Sequence, residues 1–166
     1  EENEDNNTQF LEIEIVSSFP DLSVQNIFVS SSNIPAGSDV SVNCEILNSG
    51  FNFAEASILK YYLSKTETLD SDSILLSSDE VFSLVSTATS YESAEIHIPY
   101  STQPDDYFLL FYADANYQIL ESNENNNIES YQITVEEAST ILFHENENIS
   151  CFPNPSNGIF EIELKS

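Results

Sequence analysis

The chain is 166 residues long, a one-domain length able to bury roughly 70% of its unfolded surface. It carries 29 Asp plus Glu against 3 basic residues, Lys60, Lys65 and Lys165, for a formal net charge of −26. That balance excludes nucleic acid as a partner, because phosphate binding needs clustered cations, and the lack of any apolar run of about eighteen residues excludes a transmembrane helix.

In chain order, residues 1–8 (EENEDNNT) are a polar, acidic lead without periodicity and without a basic-then-apolar leader, as in a processed protein. Residues 10–16 (FLEIEIV) put Leu11, Ile13 and Ile15 on one side and Phe10, Glu12, Glu14 and Val16 on the other, which predicts a strand. The core domain starts only after Phe19-Pro20, so residues 1–19 read as an acidic lead plus a strand outside the core.

Residues 20–136 carry short strand signals at regular spacing: 22–30, 39–47, 54–63, 73–84, 91–98, 106–114, 116–121 and 128–136. Pro35-Ala36-Gly37, Asn48-Ser49-Gly50, Pro104-Asp105-Asp106 and 122–127 supply the turns. The pattern predicts an all-β domain of two antiparallel sheets packed face to face. Val40, Val42, Cys44 and Ile46 share one face of their strand, so Cys44 is expected in the core. Residues 106–113 are apolar on both faces, which predicts a central strand covered on both sides or an exposed apolar assembly surface.

Residues 137–150 read as a linker and 151–166 as a separate segment, CFPNPSNGIFEIELKS. There Pro153 and Pro155 fix φ and remove two donors, Asn157-Gly158 supplies a turn, and Phe160, Ile162 and Leu164 fall on one face at period two. Such a strand needs a partner edge. FLEIEI at 10–15 and IFEIEL at 159–164 share one pattern, which is either chance alternation or a pair of edge strands offered to neighbours by β-strand addition. Cys44 and Cys151 are far from any C-x-x-C spacing and therefore form one disulfide or two buried thiols; an extracellular setting favours the disulfide.

Chemistry-bearing residues are few. His97 and His144 stand without a placed nucleophile, and no G-x-S-x-G motif is present, which speaks against an enzyme. The acidity reads either as a solvated surface or as divalent cation binding. Asp70 and Asp72 form an oxygen-rich loop, and Asp114, Glu121 and Glu124 with nearby Asn residues form another, both of the hard-ligand type that Ca²⁺ takes. Neither has the EF-hand register, and the competing reading is that Asp and Asn cap turns with their own side chains. The eight tyrosines offer stacking surfaces or core packing.

The run from Pro20 to Val135 resembles a CARDB repeat, the cell-adhesion-related domain of bacterial surface and secreted proteins. The resemblance rests on PDLSV (20–24), SSSNIPAGSDVSVNCEILNSG (30–50), LKYYLS (59–64), LDSDSILLSSD (69–79) and ADANYQILESNENNN (113–127). Cys44 and Phe51 to Phe53 depart from the usual pattern. The resemblance implies an immunoglobulin-like antiparallel β-sandwich of seven to eight strands, here with extra terminal strands, and no enzymatic activity. Residues 151–166 resemble the opening of the type A C-terminal sorting domain of Bacteroidetes type IX secretion cargo, a PNP turn followed by G-x-F-x-I-x-L, which implies export to the cell surface. Asp72-Ser73-Ile74 resembles the Bacteroidetes O-glycosylation signal, making Ser73 the candidate attachment site.

Together these readings lead to an extracellular structural or adhesive subunit that self-associates, or joins other surface proteins, through its terminal strands. The alternative is a secreted accessory module that binds a polysaccharide or a surface protein, with or without calcium.

Overall fold

Alternation decides where each strand goes, and the longest strand shows it most clearly. A computed structural model of the chain describes residues 10–13 and 18–138. β3 (Asp39–Asn48) buries Val40, Val42, Cys44, Ile46 and Asn48 while the residues between them face outward or lie half-buried. It is flanked by β1 (Leu22–Val29) and β6 (Thr89–His97), giving a three-stranded antiparallel sheet in the order β1-β3-β6. The second sheet has five strands in the order β2-β8-β7-β4-β5, formed by β2 (Asn33–Pro35), β4 (Ser57–Ser64), β5 (Ile74–Val81), β7 (Asp105–Tyr112) and β8 (Ile128–Glu136). Its pairings are antiparallel except for β2 beside β8, which is parallel.

The core lies between the sheets. Val42, Cys44, Ile46 and Ile96 from one sheet meet Leu59, Tyr61, Leu63, Leu109, Phe111 and Ile133 from the other. Each such aliphatic or aromatic side chain contributes about 1.5–3 kcal/mol when fully buried. Tyr61 and Phe111 meet edge to face at 5.4 Å. The fold is an all-β sandwich, as the alternation predicts. β7 is its central strand: Tyr107 and residues 109–113 are buried and Phe108 is half-buried, so the apolar part of 106–113 is covered on both faces rather than forming an exposed assembly surface.

Two elements differ from expectation. Residues 116–121 form no strand, because the Asp114 carboxylate accepts the backbone N–H groups of Gln118 (3.0 Å) and Ile119 (2.9 Å) that a ladder would need. Asp114 and Tyr117 sit there at φ of 43° and 53°, so the chain coils instead of extending. Conversely, Asn33–Pro35 pairs as a three-residue strand too short to leave a periodic signal. Ala54, expected within a strand, forms an isolated bridge to Leu84.

Residues 10–13, at the start of the expected N-terminal strand, carry no strand, and Phe10, Leu11 and Ile13 are exposed. Ile15 and the C-terminal strand residues Phe160, Ile162 and Leu164 lie outside the described residues. Where the chain enters the sandwich the backbone of Phe19 to Asp21 runs against Gly50. A Cβ at that glycine would meet the Phe19 carbonyl oxygen at 2.5 Å, so only Gly permits the approach.

Candidate functional site

One end of the sandwich gathers four buried polar residues, Asn48, Asp114, Glu121 and Asn127. Asn48, fully buried at the end of β3, meets its full hydrogen-bonding capacity: Oδ1 accepts from the N–H of Asp21 and Gly50, both at 3.1 Å, and Nδ2 donates to the carbonyls of Asn52 (2.8 Å) and Leu84 (3.0 Å). One amide thus joins the entering chain to two loops. Sequence reading takes Asn48-Ser49-Gly50 as a turn; only its place at the buried end of an alternating strand hints at more.

Beside it, Glu121 reaches back across the sandwich. Its Oε2 accepts the N–H of Leu22 at the start of β1, and its Oε1 accepts from Asn127 Nδ2 at 2.7 Å. Burial pushes the carboxyl up to about 7, and the nearby charges of Glu124 and Asp114 add to that, against the two hydrogen bonds. Glu124 Oε1 accepts the Glu121 N–H at 2.9 Å. Asp114 is buried and its carboxyl is likewise raised, desolvation outweighing its two backbone bonds.

The candidate calcium residues therefore divide between two places. Asp114, Glu121 and Glu124 come together in the 114–127 loop, but their oxygens accept from backbone and amide donors. Asp70 and Asp72 lie in a separate exposed turn, where Asp70 Oδ1 accepts from Asp72 N–H (3.0 Å) and Ser73 Oγ (2.9 Å). Those bonds hold the Asp70 carboxyl below its usual range. Among the described residues no three His, Cys, Asp or Glu side chains gather as metal ligands. The donor set fits turn closure better than an ion cage.

The glycosylation candidate Ser73 has its hydroxyl engaged twice, donating to Asp70 Oδ1 and accepting the Asp70 N–H at 3.0 Å. Cys44 is fully buried, and burial, with Glu92, Asp79 and Glu45 nearby, pushes its thiol up to about 12. Its proposed partner Cys151 lies outside the described residues, as does His144. His97 Nδ1 pairs with Asp39 Oδ1 across β3 and β6 at 2.7 Å, both side chains more than half exposed.

The tyrosines do not form one stacking platform. Tyr61, Tyr107 and Tyr112 are buried, while the exposed Tyr91, Tyr100 and Tyr117 sit on β6, beyond its end and in the loop after β7. Next to Tyr112 and Tyr117, whose rings meet edge to face at 6.0 Å, lies a pocket of about 290 Å³. Its walls also include Glu67, Glu124 and Asn127. Phe51, Phe53, Phe82 and Val85 are exposed on the two loops that the Ala54–Leu84 bridge joins.

Comparison with known proteins agrees with this architecture. The CARDB domain of the PF1109 protein from Pyrococcus furiosus, solved in complex with di-metal ions, superposes with a TM-score of 0.56 at 21% identity, covering 73% of this chain and 97% of that one. A domain of a candidate cell-surface protein from Methanosarcina acetivorans superposes at 0.53 with 18% identity, covering 72% and 94%. A β-glucosidase from Listeria innocua reaches 0.51 at 11% identity, with 83% of this chain matching 21% of the enzyme, a likeness of fold alone. No curated protein sequence matches the chain. The CARDB family model matches residues 19–131, most of the described sandwich, and the chain belongs to that family of cell-adhesion-related domains.

Proposed function

We propose that the protein is a non-enzymatic structural or adhesive subunit of the cell exterior that joins neighbouring subunits by β-strand addition. Membership of a cell-adhesion-related family supports the surface role. The observation that carries the assembly reading is a pair of strands with one neighbour each among the described residues, together with an exposed apolar segment ahead of the sandwich. Among the described residues β5 pairs only with β4, and β6 only with β3. Ile74 and Leu75 of β5 are exposed, as are Phe10, Leu11 and Ile13 ahead of the sandwich. Unpaired N–H and C=O groups along such an edge accept another strand, and the donor's alternate side chains then cover apolar surface. The other two edges are less receptive: β1 is interrupted by a register shift between Gln25 and Phe28, and β2 has three residues ending in Pro35.

Export by the type IX route belongs to this reading and rests on the PNPSNGIFEIEL resemblance at 153–164, outside the described residues. No helix among the described residues is long and apolar enough to cross a membrane. The assembly test is multi-angle light scattering on the full chain at high concentration, beside a variant carrying Leu11→Asp and Ile13→Asp. The wild type is expected to form oligomers that the variant loses; a wild-type chain that stays monomeric overturns strand addition.

Calcium forms a second reading, favoured by the di-metal state of the Pyrococcus domain. In this chain Asp70, Asp114, Glu121 and Glu124 already close turns, so chelator is expected to leave the melting temperature unchanged. A drop of several degrees would restore a structural ion to one of these loops.

A further inference from the structure

We infer that the loop end of the sandwich, where the chain enters, is a pairing surface for the same end of a second copy. Like strand addition, the inference rests on self-association, but it uses the β3–β4 and β5–β6 connections in place of a sheet edge. The apolar residues concerned are Phe51 and Phe53 on one connection and Phe82 and Val85 on the other, with Phe19 on the entering chain.

The two connections are held as a unit. Ala54 and Leu84 exchange backbone hydrogen bonds at 2.8 and 2.9 Å, which sets Phe53 opposite Val85. Asn48 Nδ2 donates to one carbonyl of each connection, and Ser86 Oγ donates to the Gly50 carbonyl. The Phe51 N–H donates to the Phe19 carbonyl at 3.2 Å, which joins the entering chain to the same end. Phe51 and Phe82 are nonetheless 75% and 74% exposed. Rings carried on a backbone fixed at this many points lose little conformational freedom when a partner covers them.

Charge limits where two copies can meet. Residues 49–54 and 82–88 contain no charged side chain, although the whole chain carries 29 Asp plus Glu. Copies with a net charge of −26 repel one another at most approaches, and the repulsion is least where the facing surfaces are uncharged. The same absence of charge leaves a basic partner no ion pair to form within these connections.

Area points to the occupant. A whole phenylalanine side chain covers about 200 Å², so the four phenylalanines and Val85 expose on the order of 500 Å². Alone that falls short of the roughly 800 Å² that each partner contributes to a standard stable interface. The remainder is present on the same chain, since Phe10, Leu11 and Ile13 are 90%, 85% and 71% exposed. Ile13 is six positions from Phe19, a span of at most about 20 Å. When two copies meet end to end, each segment lies within reach of the other copy's loops, and both apolar surfaces are covered together, on the order of 900 Å² per copy. A two-fold contact of this kind closes at two copies, whereas a strand donated to a neighbour's edge can repeat without closing.

The test is sedimentation equilibrium on the full chain, with a Phe51→Ser, Phe82→Ser double variant and a Leu75→Lys variant alongside, and phosphatidylcholine vesicles as a parallel arm. The wild type is expected to form a closed dimer that tightens between about 0.15 M and about 0.5 M NaCl, as repulsion is screened. The double variant is expected to raise the dimer dissociation constant by at least about tenfold at an unchanged melting temperature, because both rings are exposed in the single chain. Leu75→Lys, which blocks the β5 edge, is expected to leave the dimer intact. A monomeric wild type, a double variant that dimerises as the wild type does, or a chain that binds vesicles as a monomer overturns the proposal. Open-ended oligomers lost in Leu75→Lys and kept in the double variant also overturn it and leave strand addition standing. A closed dimer lost only in the double variant sustains it and removes the edge reading.

Discussion

Glu121 accepts the Leu22 N–H with one oxygen and the Asn127 amide with the other, yet its carboxyl is pushed up to about 7 because burial removes more hydration than those bonds replace. The consequence is a pH dependence of known sign. Below about 4.5 the group is protonated folded or unfolded and costs nothing. Between about 4.5 and 7 the unfolded chain ionises while the fold holds its proton, so stability falls as pH rises, by roughly 3 kcal/mol over the window. Urea denaturation at successive pH values is expected to show that decline, with Glu121→Gln flattening it; an identical slope in the variant refutes the assignment. Asp70 and Asp105 are shifted downward and act in a lower window, below the ordinary Asp range. Asn48 shows the contrasting case, a neutral buried amide whose four bonds are all made, at a position that local sequence marks only as a turn. The carboxylates at 114, 121 and 124 were legible as an oxygen-rich cluster. Their service to the backbone was not, because Leu22 reaches Glu121 only through the fold.

Two of the positive-φ positions, in β1 and ahead of β6, contrast in residue type. The bulge in β1 places Asn26 at a φ of 52°, which Asn tolerates, and its Nδ2 also reaches Glu45 Oε2 at 2.8 Å. The turn leading into β6, closed by Ala88 N–H donating to the Val85 carbonyl at 3.0 Å, instead holds the β-branched Thr87 at a φ of 64°. That conformation costs a β-branched residue about 1–2 kcal/mol, and Thr87 is exposed. Thr87→Gly is therefore expected to raise stability by about 1 kcal/mol, read as a higher urea midpoint at unchanged slope. A lower midpoint would show that the side chain supports the turn. Strand existence was legible from apolar alternation in 39–48 and 128–136. It misled at 116–121, where Ile119 and Glu121 alternate as a strand would while Asp114 takes the backbone donors.

At the scale of the molecule the chain carries a net charge of −26, and the lysines described in the sandwich are already engaged, Lys60 with Asn116 and Lys65 with Asp105 and Tyr107. Like-charge repulsion is thus screened mainly by solvent ions, with a Debye length of about 8 Å at 0.15 M. Raising NaCl from about 0.02 M to about 0.5 M is expected to raise the melting temperature by several degrees. A flat or falling melt would show that the acids are already compensated within the fold.

Composition and alternation by themselves determined the all-β class and the facing of Cys44 into the core, because both depend on a period-two pattern written locally along a strand; residues 106–113, apolar on both faces, read equally as a covered strand or an exposed surface until the fold placed them at the centre of a sheet. Tertiary structure alone decided the sheet order, the parallel β2 beside β8, the four-bonded Asn48 and the tyrosine and carboxylate walls of the pocket. Those features join residues from distant segments, such as Glu67 to Asn127 or Asp21 to Asn48, and no local periodicity encodes which distant backbone group or side chain will complete a given hydrogen bond.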